Sequence, residues 1–327
     1  MKFRPATADD TERVAAVTVD EPVGWIAADR YRDELRQGMY RPEWTWLAED
    51  DDGRLVGRAL WWGQAAAAHP VDLDCLWVDA SVAGREKVAA ELLSAGLGAF
   101  AAGGAGAGAD GGAGAGARKP PVFTLKVAPG WRADPAAAAA VGWRREAAAA
   151  AGLGRYVERL QLAWTPAAGL PASGGRLRFA PASDEAFLAM FRRIAVGSLD
   201  DGTRENVAAR GAEAAAQDDM DFYLNCLGER GWWRLAYDAE DGELVGLAIP
   251  SATPYARNVG YLGVLPERRG HGYIDEVLAE ITRFQAETGA EQITATTDMG
   301  NVPMAAAFER AGYAVTEIRI VFSAEGE

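Results

Sequence analysis

Apolar residues fall at Ile274, Val277, Leu278 and Ile281, the i, i+3, i+4, i+7 spacing of one helix face, with Asp275, Glu276 and Glu280 elsewhere on its surface. The preceding VGYLGVL (259–265) is apolar enough for a buried strand, and Pro266 ends it. ITATTDMG (293–300) predicts a strand and a turn. NVPMAAAFERAGY (301–313) predicts a helix, with Asn301 near its N-cap, Pro303 in its first turn and Gly312 at its end. VTEIRIVF (315–322) predicts a closing strand. A similar succession occurs earlier in the chain. DDGRLVGRAL (51–60) and EDGELVGLAI (240–249) both read as strand, acidic-Gly turn, strand, and Trp44 precedes the first as Trp233 precedes the second. Trp232 and Trp233 are expected in the core. FRPATADD (3–10) resembles FAPASDEA (179–186), a short strand before the acidic cap of a helix. WVDASVAGREKVAAELL (77–93) takes the place of GVLPERRGHGYIDEVLA (263–279). Two copies of one α/β unit follow, each running strand, helices, hairpin, strand, turn, helix, strand, helix, strand.

The Gly/Ala tract at 101–118 has no core-forming side chains and is expected to be a flexible loop inside the first copy. TPAAGLPASGG (165–175) has the character of an interdomain linker, so the domains are expected at 1–165 and 176–327. Hydrophobic residues make up 49% of the chain, enough for two cores, and no apolar run reaches the ~18 residues of a membrane span. The first twenty residues lack a signal peptide's apolar middle, and a cytoplasmic protein is expected. Cys75 and Cys226 form no CxxC pair, and His69 and His271 are the two histidines, so no metal site is expected. Net charge is −14 and uneven. Residues 1–170 hold 19 Lys+Arg against 22 Asp+Glu, while residues 171–327 hold 14 against 25. Such a chain repels nucleic acid. The acidic second half either attracts a cationic substrate or serves solubility.

The turn between strand and helix, PERRGHGY (266–273), gathers Arg268, Arg269, Gly270, His271 and Gly272. Glycines there permit unusual backbone angles, and unpaired N–H groups at the helix start join two guanidiniums. That composition suits a phosphate or pyrophosphate, or else is a glycine-rich turn with solvated arginines. It is neither a P-loop nor a dinucleotide fingerprint.

Val264, Pro266, Arg269, Gly270 and Gly272 spell V-x-P-x-x-R-G-x-G. Asn301 to Tyr313 spell N-x-x-M-x-x-x-F-x-x-x-G-Y. In this order the chain resembles the GNAT superfamily of N-acetyltransferases, best over 176–322 and in degenerate form over 2–164. The two-domain layout is similar to that of mycothiol synthase. The resemblance implies two tandem GNAT-like domains, each a mixed, mostly antiparallel central sheet flanked by helices. It further implies acetyl-CoA as co-substrate, its pyrophosphate held by backbone amides from Arg269 through Tyr273 and Ile274. The strand Leu262, Gly263, Val264 would pair with the pantetheine arm, and the Val264 amide would polarise the thioester carbonyl. Asn301 would contact the cofactor, cap its helix, or do both.

The sequence departs from the family where a tyrosine often protonates the leaving thiolate, since Phe308 stands there. Tyr261, Tyr273 and Tyr313 are the nearby hydroxyls. The usual strand carboxylate is absent from RNVGYLGV (257–264). Asp298 is the candidate base, or a turn cap. Asp218, Asp219 and Asp221 either bind the acceptor or form a solvated helix face, and Tyr255 is a candidate for the acceptor tunnel. In the first copy Ala83, Gly84 and Glu86 replace Arg269, Gly270 and Gly272, so cofactor binding is expected to be lost there. The fused copy would cover the edge or face used for dimerisation, leaving a monomer. The expected activity is acetyl transfer to a small cationic amine. A non-catalytic acyl-CoA-binding protein and a protein N-acetyltransferase remain as alternatives.

Overall fold

The computed structural model describes residues 1–105 and 120–324. The chain divides into two compact units: Met1–Val157 with Arg319–Glu327, and Glu158–Ile318.

In the first unit β1 (Lys2–Pro5) leads through α1 (Thr11–Ala15) and α2 (Ala28–Arg36) to the hairpin β2 (Thr45–Glu49) and β3 (Leu55–Trp62). Then come β4 (Asp72–Val78), α3 (Arg85–Ala105), β5 (Val122–Val127) and α4 (Pro135–Ala150). The sheet order is β1-β2-β3-β4-β5, antiparallel except for β4 with β5. α3 continues through 101–105, although Gly103 and Gly104 are poor helix formers. This corrects the expected loop at its start, and 106–118 lies outside the described residues. Val14, Tyr31, Tyr40, Leu47, Leu60 and Cys75 form one core. Phe322, from the far end of the chain, stacks on Phe123 at 5.3 Å in this same unit.

The second unit holds most of β6 (Arg155–Trp164), then β7 (Leu177–Ala180), α5 (Asp184–Ala195), α6 (Asp201–Asn225), β8 (Arg234–Asp238) and β9 (Leu244–Ala252). β10 (Arg257–Val264), α7 (Tyr273–Glu287), β11 (Ile293–Asp298) and α8 (Val302–Arg310) follow. Its sheet order is β6-β11-β10-β9-β8-β7, antiparallel except for β10 with β11. β12 (Ala314–Ser323) starts among the residues of the second unit and ends among those of the first. The division falls at Val157/Glu158, ahead of 165–175, because β6 pairs with β11 along its length from Trp164↔Ile293 to Arg159↔Asp298.

Alternation along the strands of the second unit feeds two cores. Leu247 and Ile249 pack with Phe187, Phe191 and Met220 of α5 and α6. Ala248, Val264 and Ile293 pack with Val277, Ile281 and Phe308 of α7 and α8. Trp233 is 3% exposed and meets Phe187 edge-on at 5.3 Å, as expected of a core residue. α6 breaks at Gly211, whose φ of 83° and ψ of 160° only glycine adopts readily.

Candidate functional site

β10 and β11 start as neighbours and then part. Only Arg257↔Ile293 and Asn258↔Thr294 are paired. A register shift against β9 between Val259 and Tyr261 marks a bulge at Gly260, and β10 turns away from β11 beyond it. Leu265 donates its N–H to Val245 O on the β9 side at 2.8 Å. Alternation therefore points the N–H and C=O of Leu262 and Val264 to the other side, where β10 has no partner strand. The gap opens into a cleft of about 550 Å³, with Leu262, Gly263 and Val264 on one wall and Thr296 and Thr297 on the other.

One end of the cleft is the turn before α7. Arg268 and Arg269 give their N–H groups to Leu265 O at 2.9 Å and Pro266 O at 3.3 Å. Gly270 and Gly272 then take φ of 83° and 74°. The backbone N–H groups of Gly270, His271, Gly272, Tyr273 and Ile274 meet no backbone acceptor among the described residues, and they lie at the N-terminus of the fifteen-residue helix α7. This is an anion cradle, and the α7 dipole reinforces it. It starts at Gly270 and not at Arg269, whose amide is taken.

The side chains of the turn do less than the sequence suggested. Arg269 lines the cleft, but its guanidinium is spent on backbone carbonyls, donating to Val264 O (3.1 Å), Ile194 O (2.9 Å) and Gly197 O (2.7 Å). It caps the C-terminal carbonyls of α5 and ties them to the end of β10. Arg268 lines the cleft and also pairs with Asp241 at 3.1 Å. His271 is exposed and does not line the cleft; its carbonyl accepts from Arg176 Nη1 at 2.9 Å. The pair that braces the turn was missed. Glu276, in the first turn of α7, is 7% exposed, and its carboxylate accepts from the Arg176 side chain and from the Arg176 N–H at 3.0 Å. The helical spacing marks Glu276 as a surface position, and nothing local reveals an arginine 100 residues away.

The other end of the cleft is lined by Arg159, Asp200, Thr203, Asp219, Tyr223 and Tyr261. Of the three acidic candidates on α6, only Asp219 lies there. Asp218 accepts from Asn206 Nδ2 at 3.1 Å and from Arg210, which clasps the two halves of α6 across the Gly211 break. Asp221 is exposed and holds Gln217 at 2.8 Å. Tyr255 is 78% exposed and outside the cleft. Asp219 has no hydrogen-bond partner among the described residues; burial, then Asp200 and Asp218, push its carboxyl up to about 6.

Asp298 is only 4% exposed, and both its oxygens are engaged. Oδ2 accepts the Asp201 N–H at 2.6 Å and Oδ1 lies 3.0 Å from Arg159 Nε. Burial, then Asp200, raises its pKa, and Arg159 only partly offsets them. Asp298 therefore secures the start of α6, and it does not line the cleft. Asn301 does line it, and its side chain makes no cap hydrogen bond, which leaves the amide free for a ligand. Phe308 is 1% exposed in the core against Tyr313. The Tyr313 hydroxyl is buried on Thr282 Oγ1 at 2.9 Å and that of Tyr273 donates to Asp238, so neither is available. Tyr273 also lines the cleft; the other two tyrosines there, Tyr261 and Tyr223, have ring centres 5.6 Å apart, and burial pushes both hydroxyls up.

The first unit repeats the parting of its parallel pair. Only Asp72↔Val122 and Leu73↔Phe123 join β4 to β5, and a register shift again precedes the gap. Here the chain fills the gap itself. Arg144, fully buried, gives Nε to Leu76 O at 3.2 Å and Nη2 to Glu21 at 2.6 Å, while Trp143 Nε1 meets Glu21 at 2.9 Å. On the β5 side Gly24 donates to Lys126 O at 2.6 Å. Gly84 keeps a φ of 65°, but the N–H groups of Lys87 and Val88 turn back onto Gly84 O.

Residues 176–314 match the family model described as acetyltransferase (GNAT) domain. No curated protein matches the sequence. Among solved structures the chain is similar to a GCN5-related N-acetyltransferase from Sphaerobacter thermophilus, with 15% identity over 98% of this chain and 94% of that one, TM-score 0.53. It is also similar to the GCN5-related glucosamine N-acetyltransferase region of a fungal multi-domain GH3 β-N-acetylglucosaminidase, with 14% identity over 98% of this chain and 38% of that one, TM-score 0.55. At these identities the likeness is one of fold. Among the described residues no helix is long and apolar enough to cross a membrane, and no three His, Cys, Asp or Glu side chains group as metal ligands would.

Proposed function

Because residues 176–314 match a GNAT acetyltransferase domain, we propose that the second unit moves an acetyl group from acetyl-CoA to the amine of a small cationic molecule. The observation that carries this reading is the coincidence, in one cleft, of a free-amide cradle, an unpaired β10 edge and an acidic far end. The cradle Gly270–Ile274 suits a pyrophosphate. The outward N–H and C=O of Leu262 and the N–H of Val264, whose C=O is taken by Arg269, suit the amides of a pantetheine arm, as an added strand would. The Leu262 N–H, at the end of that edge away from the cradle, suits the thioester carbonyl oxygen better than the Val264 N–H beside the cradle, and would stabilise negative charge there. Asn301 stands free to hold the arm from the α8 side. The thioester supplies an activated acyl carbon and a sulfur leaving group; the chain supplies alignment, which carries much of the acceleration. Asp200 and Asp219 favour an acceptor that arrives as a cation.

Calorimetric titration of the full chain with acetyl-CoA, followed by thiol release across an amine panel, tests the reading. One site per chain with amine-dependent thiol release is expected, the first unit being filled by Arg144 and Glu21. Two sites would show the first unit to be live. Binding without thiol release for any amine would instead favour an acyl-CoA-binding module, and no binding would overturn the proposal.

A further inference from the structure

Acceptor amines reach the cleft as ammonium ions, so a group must take a proton before nitrogen can attack. Three carboxylates stand at the acidic end of the cleft or beside it, and their partners separate them. Asp298 is closed off by Arg159 at 3.0 Å and the Asp201 N–H at 2.6 Å. Asp200 caps α6 through the Thr203 N–H at 2.8 Å and its Oγ1 at 3.0 Å, with Arg159 at 3.7 Å from its second oxygen. Asp219 lines the cleft with neither a cap nor an ion-pair partner among the described residues. Tyr223 follows it by one helical turn, on the same face of α6, and Tyr261 packs against Tyr223 from β10.

We propose, building on the acetyl transfer above, that Asp219 is the general base of this site and the anchor for the acceptor's ammonium. The ammonium gives one proton to the Asp219 carboxylate. The nitrogen lone pair forms the N–C bond to the thioester carbonyl, and the C–S bond breaks with its electron pair on sulfur. A second nitrogen proton passes through water to that sulfur. The products are the amide and free thiol, and Asp219 returns its proton to solvent. The groups around the carboxylate are Asp200 at the start of α6, Asp218 beside it, Tyr223 on the next turn, Tyr261 from β10 and Arg159 from β6. Arg159 is already committed to Asp298 and Asp200. Burial and the two aspartates hold the Asp219 carboxyl near 6, so it is a working base at neutral pH and is lost as pH falls through about 6.

The test is thiol release between about pH 5 and pH 9 with the best amine of the panel, for the wild type, Asp219→Asn, Asp219→Glu and Asp298→Asn. Asp219→Asn is expected to lower kcat/KM by about 10²–10⁴-fold and to remove the fall in rate below about pH 6. Its acetyl-CoA affinity should be unchanged. Asp219→Glu should recover part of the rate together with the acid limb, and Asp298→Asn should keep that limb. An Asp219→Asn enzyme with wild-type rate and acid limb overturns the assignment while leaving acetyl transfer in place. So does loss of the limb in Asp298→Asn alone. A wild-type chain that releases thiol with no amine overturns both the assignment and the function it rests on.

Discussion

Gly272 sits at φ 74° with no atom nearer than 3.8 Å to the place a Cβ would take. Space does not forbid a side chain there, but charge does. A carboxylate at ~4 Å from a pyrophosphate costs about 1 kcal/mol per charge pair in water and several times more where partly desolvated. Gly272→Glu is therefore expected to weaken acetyl-CoA binding by at least ~10²-fold. Gly272→Asn, which tolerates the left-handed backbone without adding charge, should keep most of the affinity. Calorimetry on both, with circular dichroism to check the fold, separates charge from strain. Equal losses in the two variants would mean that backbone strain, and not an anion, explains the effect. At this scale the sequence singles out the glycines, Asn301 and the Leu262–Val264 edge, which the structure brings into one cleft, because their placement follows from local backbone geometry. The role of Arg269 does not follow in this way. A cation beside two glycines reads as an anion ligand until its partners, Ile194 O and Gly197 O, are brought in from α5. The partners of Asp298 are hidden for the same reason, since Arg159 and Asp201 lie far from it in sequence.

Among the elements, α6 shows how a backbone break serves a site. Gly211 turns the second half of the helix, and Asp218 staples that half to Asn206 and Arg210. Asp219 and Tyr223 ride on the stapled half into the cleft. The backbone at Gly211 costs any other residue about 1–3 kcal/mol, so Gly211→Ala favours a straightened helix. The acceptor KM is expected to rise by roughly tenfold or more, a loss of at least ~1.4 kcal/mol, while acetyl-CoA affinity holds because β10 and α7 are untouched. An unchanged KM in steady-state kinetics would show that the break does not place the acidic end. Helical periodicity could identify Asp218, Asp219 and Asp221 as one charged stretch, but it could not say which of the three side chains, all within about one turn, faces inward. A glycine at φ 83° decides that, and its angle is invisible in the pattern of polar and apolar positions.

At the scale of the molecule, the repeat was readable in the paired hairpins and turns, yet its halves do not coincide with the compact units. β6 follows the first copy in sequence and pairs with β11 of the second unit, where Leu162 and Trp164 enter the core and Arg159 meets Asp298. A chain cut to 176–327 keeps the whole span of the family match but loses this strand. It is expected to lose acetyl-CoA binding and a cooperative thermal transition, because β11 gains an exposed edge and Asp298 a buried charge without its cation. A 176–327 fragment that melts cooperatively and binds acetyl-CoA like the full chain would show β6 to be dispensable. Pairing partners this remote are set by three-dimensional register, which a linker-like composition at 165–175 does not report.

The ring of Phe322 on Phe123 also bears on how the protein is made. During synthesis the first unit waits for Arg319 and Phe322, which are made long after Val157. At roughly 5–20 residues per second, the ribosome takes about 10–30 s to pass from Val157 to Phe322. Throughout that interval the nascent first half lacks the ring that covers Phe123 and is exposed to whatever chaperones the cell supplies, and a chain stopped before Arg319 would complete the second unit but not the first.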